Sequence, residues 1–315
     1  MRKGANAVTL LLIVLALGTG PRLSAEGVRQ SCVDFGVPKV VGHIHDARLA
    51  ELSGLSASTL NDGILWAVSD SGAPRIYAMS TTGTVLGALY LRGAFNLNWE
   101  ALAVGECDGE WCLFVGDIGD DYGVRPWKTI YRVREPKLAS VPFALRTVPW
   151  ERIRVTYPDR PFLAGFHNAE ALGYHPTEGL VIVTKSSGQA HVYALPSSST
   201  GFTKARWVAR VATPRGQRIT AIDFHPSGVD ALVRSYRRPA EDGAMERWRF
   251  DPTGPFDPTG RLFPVSRSPI PAATEPQGEV VTYDPDGLGY YHASEIETGF
   301  NATPLYYVPC LSAIP

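Results

Sequence analysis

Apolar residues recur along this chain in short runs, each cut by a polar turn rich in glycine or proline. Runs of that length are too short for helices and fit strands. Four segments repeat one pattern of acid followed by alternating apolar residues: Glu51 to Leu55 (ELSGL), Glu100 to Val104 (EALAV), Glu170 to Tyr174 (EALGY) and Glu279 to Tyr283 (EVVTY). A fifth, Thr220 to Phe224 (TAIDF), carries Thr in place of the acid. Each is followed by a polar turn: Asn61-Asp62-Gly63, Asp108-Gly109, His175 to Gly179, His225 to Gly228 and Asp284 to Gly287. After the turn come LWAVSD, CLFVGD, LVIVTK, ALVRSY and GYYHAS, then a third strand marked by Tyr77, Tyr131, Tyr193, Trp248 or Tyr306. Fourth strands are expected over Thr84 to Leu91, Arg152 to Tyr157, Ala205 to Val211 and Arg261 to Val265.

Self-similar units of this kind predict an all-β fold, a β-propeller. The repeats begin at 51, 100, 170, 220 and 279, which favours five blades. A sixth is allowed if the long second unit hides another. The last unit runs out of chain before a fourth strand, while Val37 to Ile44 has no unit of its own. The N-terminal strand is therefore expected to join the C-terminal blade and close the ring, removing exposed sheet edges. A β-sandwich with chance similarity is the competing architecture.

The first residues are a separate object. Arg2 and Lys3 precede the apolar run Leu10 to Leu17, which Gly18, Gly20 and Pro21 break. The run is too short to span ~30 Å of hydrocarbon. It reads as an export signal over 1–25, with one domain over 32–315 and no transmembrane anchor after cleavage. The expected location is periplasmic or secreted, and the expected state a monomer. A net charge of -1 argues against a nucleic-acid partner. Export also places the four cysteines where disulfides persist. Cys107 and Cys112 bracket a hairpin turn and are paired on that ground; Cys32 and Cys310 would then tie the two ends together. Four cysteines allow three connectivities, and the sequence does not choose among them. With no CxxC pair, a cysteine zinc site is the weaker alternative.

In a propeller the first strand of each blade enters the central channel from one face, and the second returns to it. Glu51, Glu100, Glu170 and Glu279 should thus ring one mouth, with Asp70 and Asp117 ending second strands beside them. Lys185 and Arg234 take that place in the third and fourth blades. Like charges so close need compensation, from these two basic residues or from a cation. Oxygen donors at a roomy site favour Ca²⁺. The turn Asp117 to Asp121 (DIGDD) adds acids but is too short for an EF-hand loop. Asn98 and Asn168, each two residues before a ring Glu, are candidate neutral ligands. His45 and His167 lie in loops entering first strands and are the weak candidates for a base; His175 and His225 occupy equivalent turns and are read as structural. There is no GxSxG, HExxH or P-loop, so the sequence assigns no reaction.

The segments ELSGL…LWAVSDSG…IYAM, NWEALAV…VGDIGDD and NAEALGYHP…LVIVTKS resemble bacterial secreted propellers related to the SdiA-regulated domain family. They are more distantly similar to NHL-repeat and phytase-like propellers. The resemblance runs roughly from 45 to 309 and implies a five-bladed propeller with bound calcium and no established activity. Carried over by position, the calcium ligands are the ring acids. Thr220, Lys185 and Arg234 depart from a highly acidic, multi-calcium pattern. The leading expectation is an extracytoplasmic calcium-binding module for a small molecule, peptide or envelope component. The alternative is a metal-dependent hydrolase, phosphoesterase or lactonase in type, with its site on the same face.

Overall fold

A computed structural model describes residues 30–159, 167–213, 216–237, 243–251 and 263–314; the expected export signal lies outside them. Among the described residues the chain forms five sheets, each led by one of the repeated segments. The innermost strands are Leu52–Ala57, Trp99–Cys107, Ala169–His175, Arg218–Phe224 and Gly278–Tyr283. Each pairs antiparallel with the apolar strand after its turn. Each also packs against the innermost strands before and after it, the last against the first. That cyclic relation is a five-bladed propeller.

Period-two alternation explains why the sheets stack around an axis. Along Trp99–Cys107, Ala101 and Ala103 face the third blade while Leu102 faces the first. Along Ala169–His175, Ala171 faces the fourth blade and Leu172 the second. Successive side chains thus feed opposite boundaries, and each of the five boundaries holds its own apolar cluster. The second strands lie mid-blade and are buried on both faces, as Ile64–Ser69 is throughout.

The ring closes with pieces from both ends. The last strand, Thr303–Ile314, pairs with Lys39–Ile44 along its first part and with Ser31–Phe35 along its second. The closing strand expected over Val37 to Ile44 is therefore joined by a second one. Cys32 and Cys310 are bonded across this seam with Cα atoms 5.7 Å apart, and Cys107 is bonded to Cys112 across its hairpin.

Among its described residues the long second unit holds no extra blade. Residues 135–150 instead leave the second blade and lie along the outer edge of the first. There Arg146–Thr147 pairs in parallel with Leu89–Tyr90, and Phe143 N donates to Leu86 O at 2.8 Å. The fourth strand of the fourth blade needs correcting: it is Ser266–Pro269, paired with Ala244–Arg249, not Arg261 to Val265. Phe263 and Val265 are exposed and supply no core face; residues 261–262 lie outside the described residues. Among the described residues no helix is long and apolar enough to cross a membrane.

Candidate functional site

In every blade the innermost strand slips register at the same place, between Leu52 and Gly54, Trp99 and Ala101, Ala169 and Ala171, Ile219 and Ala221, and Gly278 and Val280. A bulge re-aims the extra residue. That residue is Ser53, Glu100, Glu170, Thr220 or Glu279. The alignment of Glu51 with Glu100 is corrected by this register: Ser53 is the true equivalent. Glu51 belongs with Asn98 and Asn168, two residues before the bulge. The backbone carbonyls of these three accept from Asp70 N (3.1 Å), Gly119 N (3.3 Å) and Lys185 N (3.0 Å) respectively.

The second strands are corrected in the same way. Asp117 lies opposite Trp99, where the other blades have Ser69, Thr184, Ser235 and Ser294. One residue further on, Asp70, Lys185, Tyr236 and Glu295 correspond. Asp70 and Asp117 are thus not equivalent, and neither are Lys185 and Arg234.

The bulge ring opens into a cavity of about 400 Å³. Asp70, Glu100, Asp121, Glu170, Glu279 and Glu295 line it, with Asn98, Lys185, Arg218, Tyr236 and Arg237. Among the described residues, six carboxylates meet three cations there. Glu100, Glu170 and Glu279 are buried. Below them the channel shrinks to a gap of about 10 Å³ among Leu55, Leu102, Leu172, Ile222 and Val280. The cavity is a cup with an apolar floor, so a ligand enters and leaves by the same mouth. Ser53 and Thr220, the uncharged members of the ring, turn inward to the backbone: Ser53 Oγ donates to Trp99 O at 2.6 Å and Thr220 Oγ1 to Gly278 O at 2.7 Å.

Electrostatics in the cup are strained. Burial pushes the Asp70 carboxyl up to about 8, helped by a hydrogen bond with Glu51 and by the charges of Glu51, Glu295 and Glu279. Burial also holds Glu100 well above the usual carboxylate range; Lys185 opposes this, and Glu279, Asp70 and Asp121 reinforce it. Lys185 is paired with Glu170. Among the described residues, Asp70 Oδ1 and Glu170 Oε2 are buried without a hydrogen-bond partner.

Other sequence candidates stand elsewhere. Asp117 is buried, accepting from Asn98 N at 3.0 Å and pairing with Arg125 at 3.0 Å; it braces the hairpin entrance. Arg234 is buried between the fourth and fifth blades with Glu275 and His292. Asn168 binds the DIGDD turn, accepting from Asp120 N at 2.7 Å and donating to Asp121 at 2.8 Å. His45 is exposed beside His43. His167 is buried near Asp159 and His191. His175 does take the structural role expected: its Nδ1 accepts from Glu178 N at 3.2 Å and its Nε2 lies 3.0 Å from Gly228 O of the next blade. Glu295 lies one residue beyond the GYYHAS run, where apolar alternation gives no signal; the equivalence of Ser294 and Ser69 is what makes Glu295 the counterpart of Asp70.

No family model matches the chain, and no curated protein matches it. The resemblance to the SdiA-regulated domain family gains no support from these comparisons. Among solved structures, a chain of Kuenenia stuttgartiensis hydrazine synthase is similar, with TM-score 0.42 and 13% identity, over 78% of this chain. This chain spans 56% of that one. A likeness at that level says nothing about chemistry, and the fold stands on the sheets described above. A propeller with an open cup supports a binding or scaffold module in general.

Proposed function

We propose that this protein is an extracytoplasmic calcium-binding β-propeller whose acidic cup is a ligand-binding site. The observation that carries the proposal is the convergence of six carboxylates, Asp70, Glu100, Asp121, Glu170, Glu279 and Glu295, on one cup. Two of their oxygens are buried without a hydrogen-bond partner. Calcium takes six to eight oxygen ligands in flexible geometry, and a cup of this size offers that many while leaving room for a ligand. Lys185 pairs with Glu170, and with Arg218 and Arg237 also in the lining the carboxylates among the described residues still outnumber the cations by six to three. A cup of about 400 Å³ falls in the range of small-molecule sites. It suits a small molecule, or one end of a peptide or envelope component.

Two features support residence outside the cytoplasm. The chain begins with the basic-then-apolar run described above, and it carries two disulfides, which persist in oxidising compartments. The hydrolase alternative has no observation of its own, since neither His45 nor His167 is among the residues lining the cup.

Thermal melts in excess EDTA and then in millimolar Ca²⁺ test the reading. An ion that binds only the folded state stabilises it by about 2.7 kcal/mol at a hundred times its Kd. A rise in Tm that Glu100→Gln with Glu279→Gln abolishes is the expected result. Equal Tm values with and without calcium would overturn the metal assignment.

A further inference from the structure

A second group of donors lies on the same face of the propeller, outward from the cup. Asp159 follows the fourth strand of the second blade, Glu151–Thr156; His167 precedes the innermost strand of the third; His191 sits on that blade's third strand, Gln189–Leu195. His191 Nδ1 lies 3.1 Å and His167 Nε2 3.7 Å from the same oxygen, Oδ2 of Asp159. One donor atom from each residue falls within 4.8 Å of the other two. Metal–nitrogen and metal–oxygen bonds of 2.0–2.2 Å set at a tetrahedral angle need donors about 3.3 Å apart, and the two contacts to Asp159 bracket that value.

From this geometry we propose that Asp159, His167 and His191 form a transition-metal site, distinct from the acidic cup and suited to a borderline dication such as Zn²⁺. Two imidazoles and one carboxylate are the donor set such ions prefer, whereas Ca²⁺ prefers oxygens alone. The surrounding contacts point the same way. Tyr193 Oη donates to Asp159 Oδ1 at 2.7 Å and lies 3.3 Å from His191 Nδ1, so it holds two of the three donors in place while Oδ2 faces both rings; contacts of this kind orient metal ligands. The two imidazoles lie 4.5 Å apart, centre to centre. Both rings can therefore share one dication with that carboxylate.

Access comes from the Asp159 side, whose side chain is 29% exposed against 4% for His167. The three protein donors found among the described residues leave one tetrahedral position for water or a ligand. Because Asp159 belongs to the second blade and both histidines to the third, an ion here clamps that blade boundary. It also takes His167 out of service as a base.

Equilibrium dialysis of the chelator-stripped protein against Zn²⁺, with millimolar Ca²⁺ present throughout, tests the site. One Zn²⁺ per chain is expected at micromolar concentration, and Co²⁺ in its place should give visible d–d absorption. His167→Gln with His191→Gln should abolish both signals. Tyr193→Phe, which removes only a hydroxyl, should weaken Zn²⁺ binding 10- to 100-fold with the near-UV circular dichroism unchanged; this variant decides if the double variant fails to fold. Glu100→Gln with Glu279→Gln should keep the full Zn²⁺ stoichiometry, so failure of the cup and failure of this site are separable. Absence of saturable Zn²⁺ binding, or zinc retained by the double histidine variant, or full affinity in Tyr193→Phe, overturns the proposal.

Discussion

Lys185 Nζ donates to Oε1 of Glu170 at the buried wall of the cup, and the same ammonium lies 5.7 Å from the centre of the Tyr236 ring. This pair sets how much negative charge the cup presents. In Lys185→Met, Glu170 becomes a buried carboxylate with no cation bonded to it. Breaking such a pair costs about 3 kcal/mol. The loss should be seen in EDTA and largely recovered in millimolar Ca²⁺, with calcium affinity raised roughly tenfold (about 1.4 kcal/mol). Urea melts in the two buffers check this. Equal destabilisation with and without calcium would show that Lys185 and the ion do not compete for the same carboxylates.

Much of the architecture was legible because the physics is local. Alternation along Glu100 to Val104 and Glu170 to Tyr174 and the turns at Asp108-Gly109 and His225 to Gly228 each act over a few residues. The bulge was not legible. It adds one residue to the innermost strand without leaving a mark in composition, so ELSGL and EALAV look alike although Glu51 and Glu100 differ in position by two residues. The Asp159–His167–His191 group was hidden for another reason: its members come from two blades, and only the packing of one blade against the next brings them together. Ser266–Pro269 was missed because a short edge strand with no apolar face has no periodicity to detect.

The two disulfides should differ in worth. Cys32–Cys310 joins residues 278 apart in sequence and locks the seam, whereas Cys107–Cys112 spans 5. Loop-closure entropy gives on the order of 5 kcal/mol for the longer loop and about 2 kcal/mol for the shorter. Paired Cys→Ser variants unfolded in urea should therefore lose more stability at the seam. An equal loss from both pairs would argue that the N-terminal strands hold the ring without help.

Glycines with the same backbone can be separated by what surrounds them. Gly63 and Gly287 both have left-handed backbones, with φ of 72° and 75°. A Cβ on Gly63 would meet nothing within 4 Å, but one on Gly287 would come 2.1 Å from His225 Nε2. Both Ala variants incur about 1–2 kcal/mol for the backbone. Gly287→Ala should cost at least about 1 kcal/mol more, as overpacking does. Denaturant midpoints check this, and equal values would mean the His225 turn yields freely.

Asp223 should make stability depend on pH. Burial raises its carboxyl to about 7, against the hydrogen bonds it accepts from Tyr283 N and Thr282 Oγ1. Its folded value thus lies above its unfolded one. Between about pH 4 and pH 7 the folded chain keeps a proton that the unfolded chain releases, so this residue's contribution falls as pH rises and levels off above pH 7. Asp223 is only partly buried as a residue, so solvent screening trims the effect to about 1–2 kcal/mol. Asp223→Asn keeps an acceptor and carries no charge. It should match the wild type near pH 4 and exceed it near pH 8 in urea unfolding, and parallel pH profiles would sink the assignment.

The segment 135–150 protects an edge, and its grip can be loosened without touching the blade beneath it. Val85–Tyr90 is the outermost of the first blade's own four strands, and such an edge pairs readily with other chains when bare. The strap is held by Asn61, which accepts from Leu138 N at 2.7 Å and donates to Pro136 O at 3.0 Å. Trp150 Nε1 also donates to Arg92 O at 3.0 Å. The Phe143 ring lies over Gly87, where a Cβ would stand 2.6 Å from its carbons. Gly87→Val should push that ring away. Valine suits a strand better than glycine does, so the blade itself is not weakened and any effect belongs to the strap. Faster proteolytic cleavage within 135–150 and concentration-dependent light scattering are the expected outcomes. Unchanged cleavage and scattering would mean that the anchors at Asn61 and Trp150 hold the strap without Phe143.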